Sequence, residues 1–208
     1  MTSDTRLSAN QNLRGKEAVL SSAISNFYAL GFHGTSMRDI AKGSGMTVAS
    51  IYHHFSSKQE ILHEIMITVM SDLMSSTRSA LMAADSSPHA QLQALVNSWI
   101  LFHATRQADA FVASTEIRSL NPSGRKLVVA LRDEQEHMFR DVIANGVQDG
   151  SFKTIYPTEA TRAVLNMGAS VASWYDPRGS LSPSDLASRY VELAFGTVRD
   201  ATQVRKVS

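Results

Sequence analysis

The stretch from residue 31 to residue 62, GFHGTSMRDIAKGSGMTVASIYHHFSSKQEIL, decides the fold of this chain. It holds two short segments with apolar residues at helical spacing, separated by a turn that contains glycine. Thr35 or Ser36 can cap the first segment and Thr47 the second, because hydroxyl groups accept hydrogen bonds from the free N–H groups at a helix start. Two short helices joined in this way form a helix-turn-helix unit.

Such a unit keeps apolar residues inside and presents small polar groups on the outer face of its second helix. The predicted inner residues are Ile40, Ala41, Met46, Ile51 and Phe55. Half or more of protein–DNA hydrogen bonds go to phosphate and sugar, and hydroxyl groups often make them. The residues that we predict to contact DNA are Thr35, Ser36, Arg38, Thr47, Val48, Ala49, Ser50, Tyr52, His53 and Lys58.

Helical patterns also flank this unit on both sides. Residues 1–15 are polar and are expected to form a flexible arm, and a helix with an apolar face then ends at Gly31. A long helix runs from Ser56 or Ser57 to about Ala84. Turn signals separate the five later helical segments, which are expected near 89–106, 109–120, 122–148, 158–175 and 183–200. The predicted fold is all-α, with about nine helices and no sheet.

Composition is consistent with this interpretation and limits the alternatives. The 208 residues are 43% hydrophobic and 19% charged, which suits a folded core and argues against disorder. Cysteine is absent, so disulfides and thiolate metal sites are excluded, and a cytoplasmic location is expected. The sequence contains no apolar run of the roughly 18 residues that a membrane span requires, and the N-terminus has no signal-like segment. Residues 1–60 carry six basic and four acidic residues, a small bias that permits DNA contact.

Residues 16–63 resemble the N-terminal signature of the tetracycline-repressor (TetR) family. The residues that carry this resemblance are Gly31 to Ala41, Gly45-Met46-Thr47, Ile51 to Phe55, and Lys58 to Leu62. The family often has lysine at the position of Val48 and glycine at that of Ala49. Val48 removes a phosphate contact and is suited to touch a thymine methyl group instead.

The resemblance implies three parts: an arm at 1–15, a DNA-binding domain at 16–57, and a ligand-binding and dimerisation domain at 58–208. It also implies that the last two helices pair with those of a second copy. The residues predicted for this dimer interface are Val164, Val171, Leu186, Tyr190, Leu193 and Val198.

The middle helices of such a regulator are expected to enclose a small-molecule effector. Because pockets are mainly apolar with a few polar groups, we predict the lining residues Trp99, Phe102, His103, Phe111, Glu116, Met138, Phe139, Asn166, Met167 and Trp174. The turn from Trp174 to Pro183 resembles one in actinobacterial TetR regulators of steroid and fatty-acid breakdown, several of which respond to acyl-CoA thioesters. The expected activity is repression by a homodimer on near-palindromic double-stranded DNA, with release by an apolar effector, and with no cofactor or membrane.

Two other functions fit parts of the sequence. Glu60 to His63 and Glu134 to His137 both read Glu-x-x-His, and two such motifs with two further glutamates, here Glu116 and Glu192, would match a di-metal oxidase in a helical bundle. An architectural DNA-binding protein would need the helix-turn-helix unit but no ligand. The first motif lies beside the DNA-binding unit, which is a poor place for a bundle-core metal, so we expect no enzyme and no metal.

Overall fold

The computed structural model describes residues 3–199, with side chains from residue 12 onward. Within this range the chain forms nine α-helices, one 3₁₀ turn and no strand, which confirms the predicted all-α class. The remaining residues of the predicted arm and of the C-terminal domain, 1–2 and 200–208, lie outside the described residues. The helices are α1 (Ser3–Gly34), α2 (Met37–Ser44), α3 (Val48–Tyr52), α4 (Lys58–Ala83), α5 (Pro88–Thr105), α6 (Gln107–Thr115), α7 (Pro122–Gln148), α8 (Pro157–Trp174) and α9 (Pro183–Val198), with the 3₁₀ turn at Glu116–Ser119.

Helix α1 begins earlier than the sequence analysis predicted. Residues 3–15 are helical and continue directly into the apolar part of the helix, where we had expected a flexible arm. The reason is that no proline interrupts this stretch and no glycine precedes Gly15, so polar composition alone does not stop the helix. Gly31 is the predicted break, since its φ of 71° falls in the region that favours glycine.

Local signals set the starts of the later helices. Proline opens α5, α7, α8 and α9, a position where its missing N–H has no helical partner to lose. Serine caps two of these starts: Ser87 accepts a hydrogen bond from the Ala90 N–H, and Ser182 accepts one from the Asp185 N–H. All five helical segments predicted after residue 88 are present, with bounds that differ by a few residues.

The described chain divides into two compact units. The first, which we call the head unit, runs up to Val69 and also includes Phe111–Val128. Its core is apolar and is formed mainly by Val19, Phe27, Phe32, Ile40, Ile51, Phe55, Ile61, Leu62, Ile65, Val112, Leu120 and Val128. The functional limits 16–57 and 58–208 stay a prediction, because this division rests on packing alone.

The second unit, which we call the body unit, consists of Met70–Ala110 and the chain from Val129 onward. Helix α5 packs against α8 and α9 within it. Trp99 of α5 lies directly on the backbone of Gly168 in α8, where a Cβ atom would overlap its indole ring. Its Nε1–H donates to the Leu165 carbonyl oxygen at 3.2 Å, so an aromatic side chain and a glycine together fix the packing of these two helices.

Candidate nucleic-acid interface and effector site

Helices α2 and α3 form the helix-turn-helix unit that the sequence predicted. Ser36 caps α2 and completes a capping box with Asp39, whose carboxylate accepts from the Ser36 N–H at 2.8 Å. The Ser36 hydroxyl also donates to the Asp39 carboxylate, at 2.6 Å, and these two hydrogen bonds lower the pKa of Asp39, the hydroxyl making the larger contribution. Gly45 ends α2 in the left-handed region with φ 68°, and Thr47 caps α3 by accepting from the Ser50 N–H at 3.1 Å. The connecting turn is therefore three residues long.

The inner and outer faces of α3 separate cleanly. Ile51 and Phe55 are buried in the head unit, whereas Tyr52 keeps 53% of its surface exposed. The other predicted base-reading and phosphate residues of this helix, Thr47, Val48, Ala49, Ser50 and His53, are exposed or half-exposed, as are Ser36 and Arg38 at the start of α2. The Thr47 and Ser50 hydroxyl oxygens lie 2.8 Å apart and share a hydrogen bond. Each of these eight predicted DNA contacts is thus at least partly accessible, as a contact with DNA requires.

Thr35 and Lys58 are placed differently from the prediction. Thr35 is 2% exposed and its hydroxyl donates to the Gly31 carbonyl oxygen at 2.9 Å, so this hydroxyl is not available to a phosphate. The Lys58 ammonium donates to the carbonyl oxygens of Phe32 and Thr35 at 2.6 and 2.5 Å. Both residues close the end of α1, where carbonyl groups lack helical partners. The sequence shows that Thr35 and Lys58 are polar but does not show which groups surround them. This is why it predicted phosphate contacts for both.

Glu116 and Phe111, which we had predicted to line the effector pocket, belong to the head unit. The Glu116 carboxylate accepts from the Phe32 N–H at 3.2 Å, beside the break in α1 at Gly31. The Phe111 ring meets that of Tyr28 edge-on, with centroids 5.0 Å apart. Both residues therefore contact α1, and their role in lining an effector pocket stays a prediction. The spacing of α6 shows an apolar face but does not show which helix covers it.

Gln59 makes a second link inside the head unit that sequence reasoning missed. Its side-chain amide donates to the Ser119 carbonyl oxygen at 2.6 Å and accepts from the Asn121 N–H at 3.1 Å. A surface glutamine within a helix gives no sequence signal for such a role. The segment Phe111–Val128 is consequently held to α1 and α4 by polar contacts as well as by apolar packing.

Four predicted pocket residues form an aromatic cluster in the body unit. Trp99, Phe102, His103 and Phe139 are all at most 7% exposed. The Trp99 ring centroid lies 4.4 Å from that of His103 and 5.7 Å from that of Phe139. Burial lowers the pKa of His103 to about 4, although the hydrogen bond between its Nδ1 and the Trp99 carbonyl oxygen opposes this shift. The imidazole is therefore neutral at pH 7 and acts as an apolar ring with one internal hydrogen bond.

The other predicted lining residues lie nearer the surface. Met138 and Met167 are half-buried, Asn166 is exposed, and Trp174 is 51% exposed. Trp174 stacks on Tyr190 of α9 with ring centroids 6.4 Å apart. Asn166 and Trp174 are thus surface residues of α8 and not part of the aromatic cluster.

The predicted dimer residues fall into two groups. Val164, Val171, Leu186 and Val198 are at most 3% exposed within a single chain, so they fill the chain's own core and are not available to a second copy. Leu193 is 55% exposed and Tyr190 is half-exposed. On α8 and α9, buried and exposed apolar residues recur at the same spacing of three to four residues. The sequence alone therefore did not show which of these residues a second copy could reach.

The residues of the proposed di-metal site do not come together. Glu60 accepts from the Ser56 N–H and hydroxyl at 2.6 Å, which lowers the pKa of this carboxyl group, and Glu134 pairs with Arg78 at 2.5 Å. Among the described side chains, those of residues 12–199, no three histidine or acidic groups lie closely enough together to hold a metal ion. In the same range, no helix is long and apolar enough to cross a membrane.

Two sequence-family models match the chain and together cover most of it. Residues 19–65 match the model described as bacterial regulatory proteins, tetR family. Residues 85–198 match the model described as tetracyclin repressor-like, C-terminal domain.

Individual relatives agree with these two matches. The chain is 32% identical over 178 residues to the HTH-type transcriptional repressor KstR2 of Rhodococcus jostii strain RHA1, which covers 84% of this chain and 86% of that protein. A bacterial regulatory protein in the tetR family from Rhodococcus RHA1 has a similar structure, with a TM-score of 0.84, 27% identity, and coverage of 90% of this chain and 98% of the other. AibR, solved in complex with isovaleryl coenzyme A and operator DNA, has a TM-score of 0.79 at 25% identity, and the match covers 87% of this chain and 98% of AibR.

Proposed function

This chain belongs to the tetR family of bacterial regulatory proteins and is a DNA-binding transcriptional regulator rather than an enzyme, and on that premise we propose how it works. Two copies form a dimer that represses transcription from a near-palindromic operator. The effector is an acyl-CoA thioester with an apolar acyl group, which binds the body unit and releases the dimer from DNA. The protein acts in the cytoplasm, where bacterial operator DNA is located.

The outer face of α3 is the observation that carries this proposal. Thr47 and Ser50 present hydroxyl groups there, and Val48 and Ala49 present small apolar groups that suit a thymine methyl. Because Thr47 caps the helix start, its backbone geometry is fixed before DNA binds. A short helix with small exposed side chains can enter a major groove, where base pairs are distinguishable.

Phosphate contacts surround this face. Tyr52 and Arg38 are exposed and are assigned to phosphates. Ser36 donates its N–H and its hydroxyl to the Asp39 carboxylate, so it is not assigned to a phosphate. Such contacts position the protein without reading sequence, whereas Ser50 and His53 are assigned to base edges. With two copies, the recognition helices should lie about 34–36 Å apart, one turn of DNA.

Trp174, Tyr190 and Leu193 support the dimer. They are accessible apolar or aromatic side chains on α8 and α9, and Trp174 and Tyr190 already stack on each other. Aromatic residues are enriched at protein interfaces, and large exposed apolar side chains that adjoin each other often mark such a surface. The contacts with the second copy are therefore assigned to these three residues.

The effector class rests on the relatives and on the composition of the body unit. AibR, at 25% identity, was solved with isovaleryl coenzyme A and with operator DNA. The body unit offers aromatic and methionine side chains, including Trp99, Phe139 and Met138, around few polar groups. Release of DNA requires that the effector bind the DNA-free protein more tightly than the DNA-bound protein. The difference between the two binding free energies is typically about 1–3 kcal/mol.

Selection of bound fragments from random duplex DNA tests the proposal directly. The purified full-length protein is used at one stated salt concentration, because affinity for DNA depends strongly on salt. A two-fold symmetric motif is expected, and its complex should dissociate when acyl-CoA thioesters are added. The variant Ser50→Ala, which leaves the Thr47 cap of α3 in place, serves as the matched control and should enrich a motif that differs at one or two base pairs.

Recovery of an asymmetric motif would contradict the proposed binding as a symmetric dimer. Recovery of no motif by a folded, ligand-free protein would contradict the proposed sequence-specific DNA binding. A symmetric motif whose complex resists every thioester, from short branched to bulky polycyclic acyl groups, would leave the regulator in place and remove the effector class.

A further inference from the structure

A pocket in the body unit lies where α5 begins and α9 ends. It has a volume of about 280 Å³, and no residue of the aromatic cluster around Trp99 lines it. Its walls come from α5, from α9 and from the loop between α7 and α8, and they combine aromatic with basic side chains. The residues that give the pocket this character are His89, Phe152, Lys153, Phe195 and Arg199.

Three aromatic rings line this pocket. The His89 imidazole stacks on the Phe195 ring, with centroids 4.1 Å apart and planes 14° from parallel. The Phe152 ring centroid lies 6.3 Å from that of Phe195. Phe152 is held in place because it packs on Gly146, where an added Cβ atom would overlap its ring. Such a group of rings favours a ligand that is itself a flat aromatic ring.

Hydrogen bonds fix the loop between α7 and α8 that contributes to the pocket. Ser151 donates its N–H to the Asp149 carboxylate at 2.9 Å and its hydroxyl to the same carboxylate at 2.6 Å. The Lys153 N–H donates to the carbonyl oxygen of Val198 in α9 at 2.9 Å. The pocket is therefore formed before a ligand binds, which reduces the free-energy cost of ordering it.

The charged side chains that line the pocket are basic. Lys153 and Arg199 are exposed, and neither forms an ion pair with a residue that the structure describes. Asp149, the acidic residue before the loop, already accepts two hydrogen bonds from Ser151 and does not line the pocket. Residues 200–208 contain two basic residues and one acidic residue, so their sequence is not an acidic segment that would match these cations. Charge complementarity therefore favours an anion from outside the chain.

We propose that this pocket binds a small aromatic carboxylate. The ring of the ligand packs against Phe152 and Phe195. Its carboxylate pairs with Lys153 and Arg199, whose long stems let their head groups reach a ligand at the mouth of the pocket. The volume suits a single aromatic ring with its carboxyl group. This site is separate from the effector site of the proposed function and does not depend on it.

The test titrates three probes of similar size into the isotope-labelled full-length protein and follows the backbone amide resonances by NMR. Benzoate has both the ring and the charge, benzamide lacks the charge, and cyclohexanecarboxylate lacks the aromatic ring. Benzoate should shift the amide resonances of Ser151, Phe152 and Lys153, and it should bind about tenfold more tightly than either of the other two probes.

Substitutions then separate the charge from the ring. Lys153→Met and Arg199→Met should each weaken benzoate binding by about threefold or more and leave benzamide binding unchanged. Phe195→Leu should bring the affinity for benzoate down to that for cyclohexanecarboxylate. The control Lys126→Met removes an exposed lysine of α7 that does not line the pocket, and it should keep the wild-type affinities.

Three results would overturn the proposal. The first is that benzoate shifts none of the amides of the loop, and the second is that it binds no more tightly than benzamide. The third is that its effects are confined to amides around Trp99 and Phe139, because benzoate would then occupy the aromatic cluster instead. The measurement uses neither DNA nor an acyl-CoA thioester, so its failure would leave the proposed function unchanged.

Discussion

The Lys58 ammonium lies 4.3 Å from the centroid of the Phe32 ring and donates to the carbonyl oxygen of the same residue at 2.6 Å. A second donation, to the Thr35 carbonyl oxygen, uses another of its three protons. Lys58 stands at the first position of α4, so one side chain connects the start of this helix to the end of α1. The lysine is therefore a structural part of the head unit.

Lys58→Met should lower the stability of the head unit by about 1–3 kcal/mol, because two carbonyl groups lose a charged donor. Affinity for operator DNA should fall at the same time, but its dependence on salt should not change. A phosphate contact would behave differently, since its loss reduces the slope of log affinity against log salt by about one. Filter binding at several salt concentrations and urea unfolding measure the two quantities.

Arg38→Gln is the matched comparison. This exposed side chain is assigned to a phosphate, so its replacement should reduce the slope of log affinity against log salt by about one. The free energy of unfolding should stay within about 0.5 kcal/mol of the wild-type value. If Lys58→Met reduced the slope and Arg38→Gln did not, the roles of the two residues would be exchanged.

Tyr52→Phe removes one exposed hydroxyl and keeps the ring. Binding should weaken by about 0.5–1.5 kcal/mol on every DNA sequence, because a phosphate contact carries no information about bases. Ser50→Ala, two residues earlier, should instead change the preference at one or two base pairs. Binding to a library of single-base operator variants measures both. A change of preference in Tyr52→Phe would mean that this tyrosine reads a base edge.

Local signals explain why so much of the fold was predictable. Helix starts at Pro88, Pro122, Pro157 and Pro183 depend only on residues within one turn, as does the break at Gly31. For the same reason the caps at Ser36 and Thr47, and with them the position of the exposed α3 face, were predicted from sequence.

Contacts between distant parts of the chain were not predictable. Glu116 and Phe32 are separated by 84 residues, and Thr77 and Gln135 by 58. The period of an apolar stripe gives the direction of a face but not the element that covers it. Val164 and Leu193 therefore looked alike in sequence, although the first is buried in its own chain and the second is exposed.

His103 should make the stability of the protein depend on pH. Its pKa is about 4 when folded and 6.5 when unfolded, so the unfolded state takes up a proton between these values and the folded state does not. The resulting stability is fully present above pH 6.5 and is lost as pH falls towards 4. Between pH 7 and pH 5 the free energy of unfolding should decrease by about 2 kcal/mol from this group.

Urea unfolding at several pH values measures this decrease. In His103→Gln, whose side chain cannot titrate, the decrease in unfolding free energy due to residue 103 should disappear. Only the pH dependence that comes from the carboxyl groups should remain. The same pH dependence in wild type and His103→Gln would show that His103 does not have the lowered pKa.

Gly168→Ala should lower the free energy of unfolding by about 1–3 kcal/mol, because the added methyl group overlaps the indole of Trp99 and forces α5 and α8 apart. Gly196→Ala in α9 is the control, since no atom lies within 4 Å of its added methyl group. There the better helix propensity of alanine should stabilise the protein by up to about 1 kcal/mol. Equal effects of the two substitutions in chemical denaturation would contradict the close contact of Trp99.

Leu193→Glu should convert the dimer into monomers, since a charge would replace an apolar side chain at the proposed interface. Analytical ultracentrifugation measures the mass, and operator affinity should fall with it because two recognition helices would no longer be linked. Ile155→Glu introduces the same charge at another exposed apolar position, 69% exposed, and should leave the mass unchanged. A dimer that persists in Leu193→Glu would move the interface away from this part of α9.

The head unit is discontinuous in sequence, because Phe111–Val128 completes a structure that otherwise ends at Val69. A fragment that stops after α4 would lack the partner of the Phe32 N–H and the buried Val112 and Leu120. Chimeric regulators that exchange DNA specificity should therefore be spliced at three points, near residues 69, 110 and 128. A recombinant made at a single crossover after residue 57 would combine a recognition helix from one parent with supporting residues from the other.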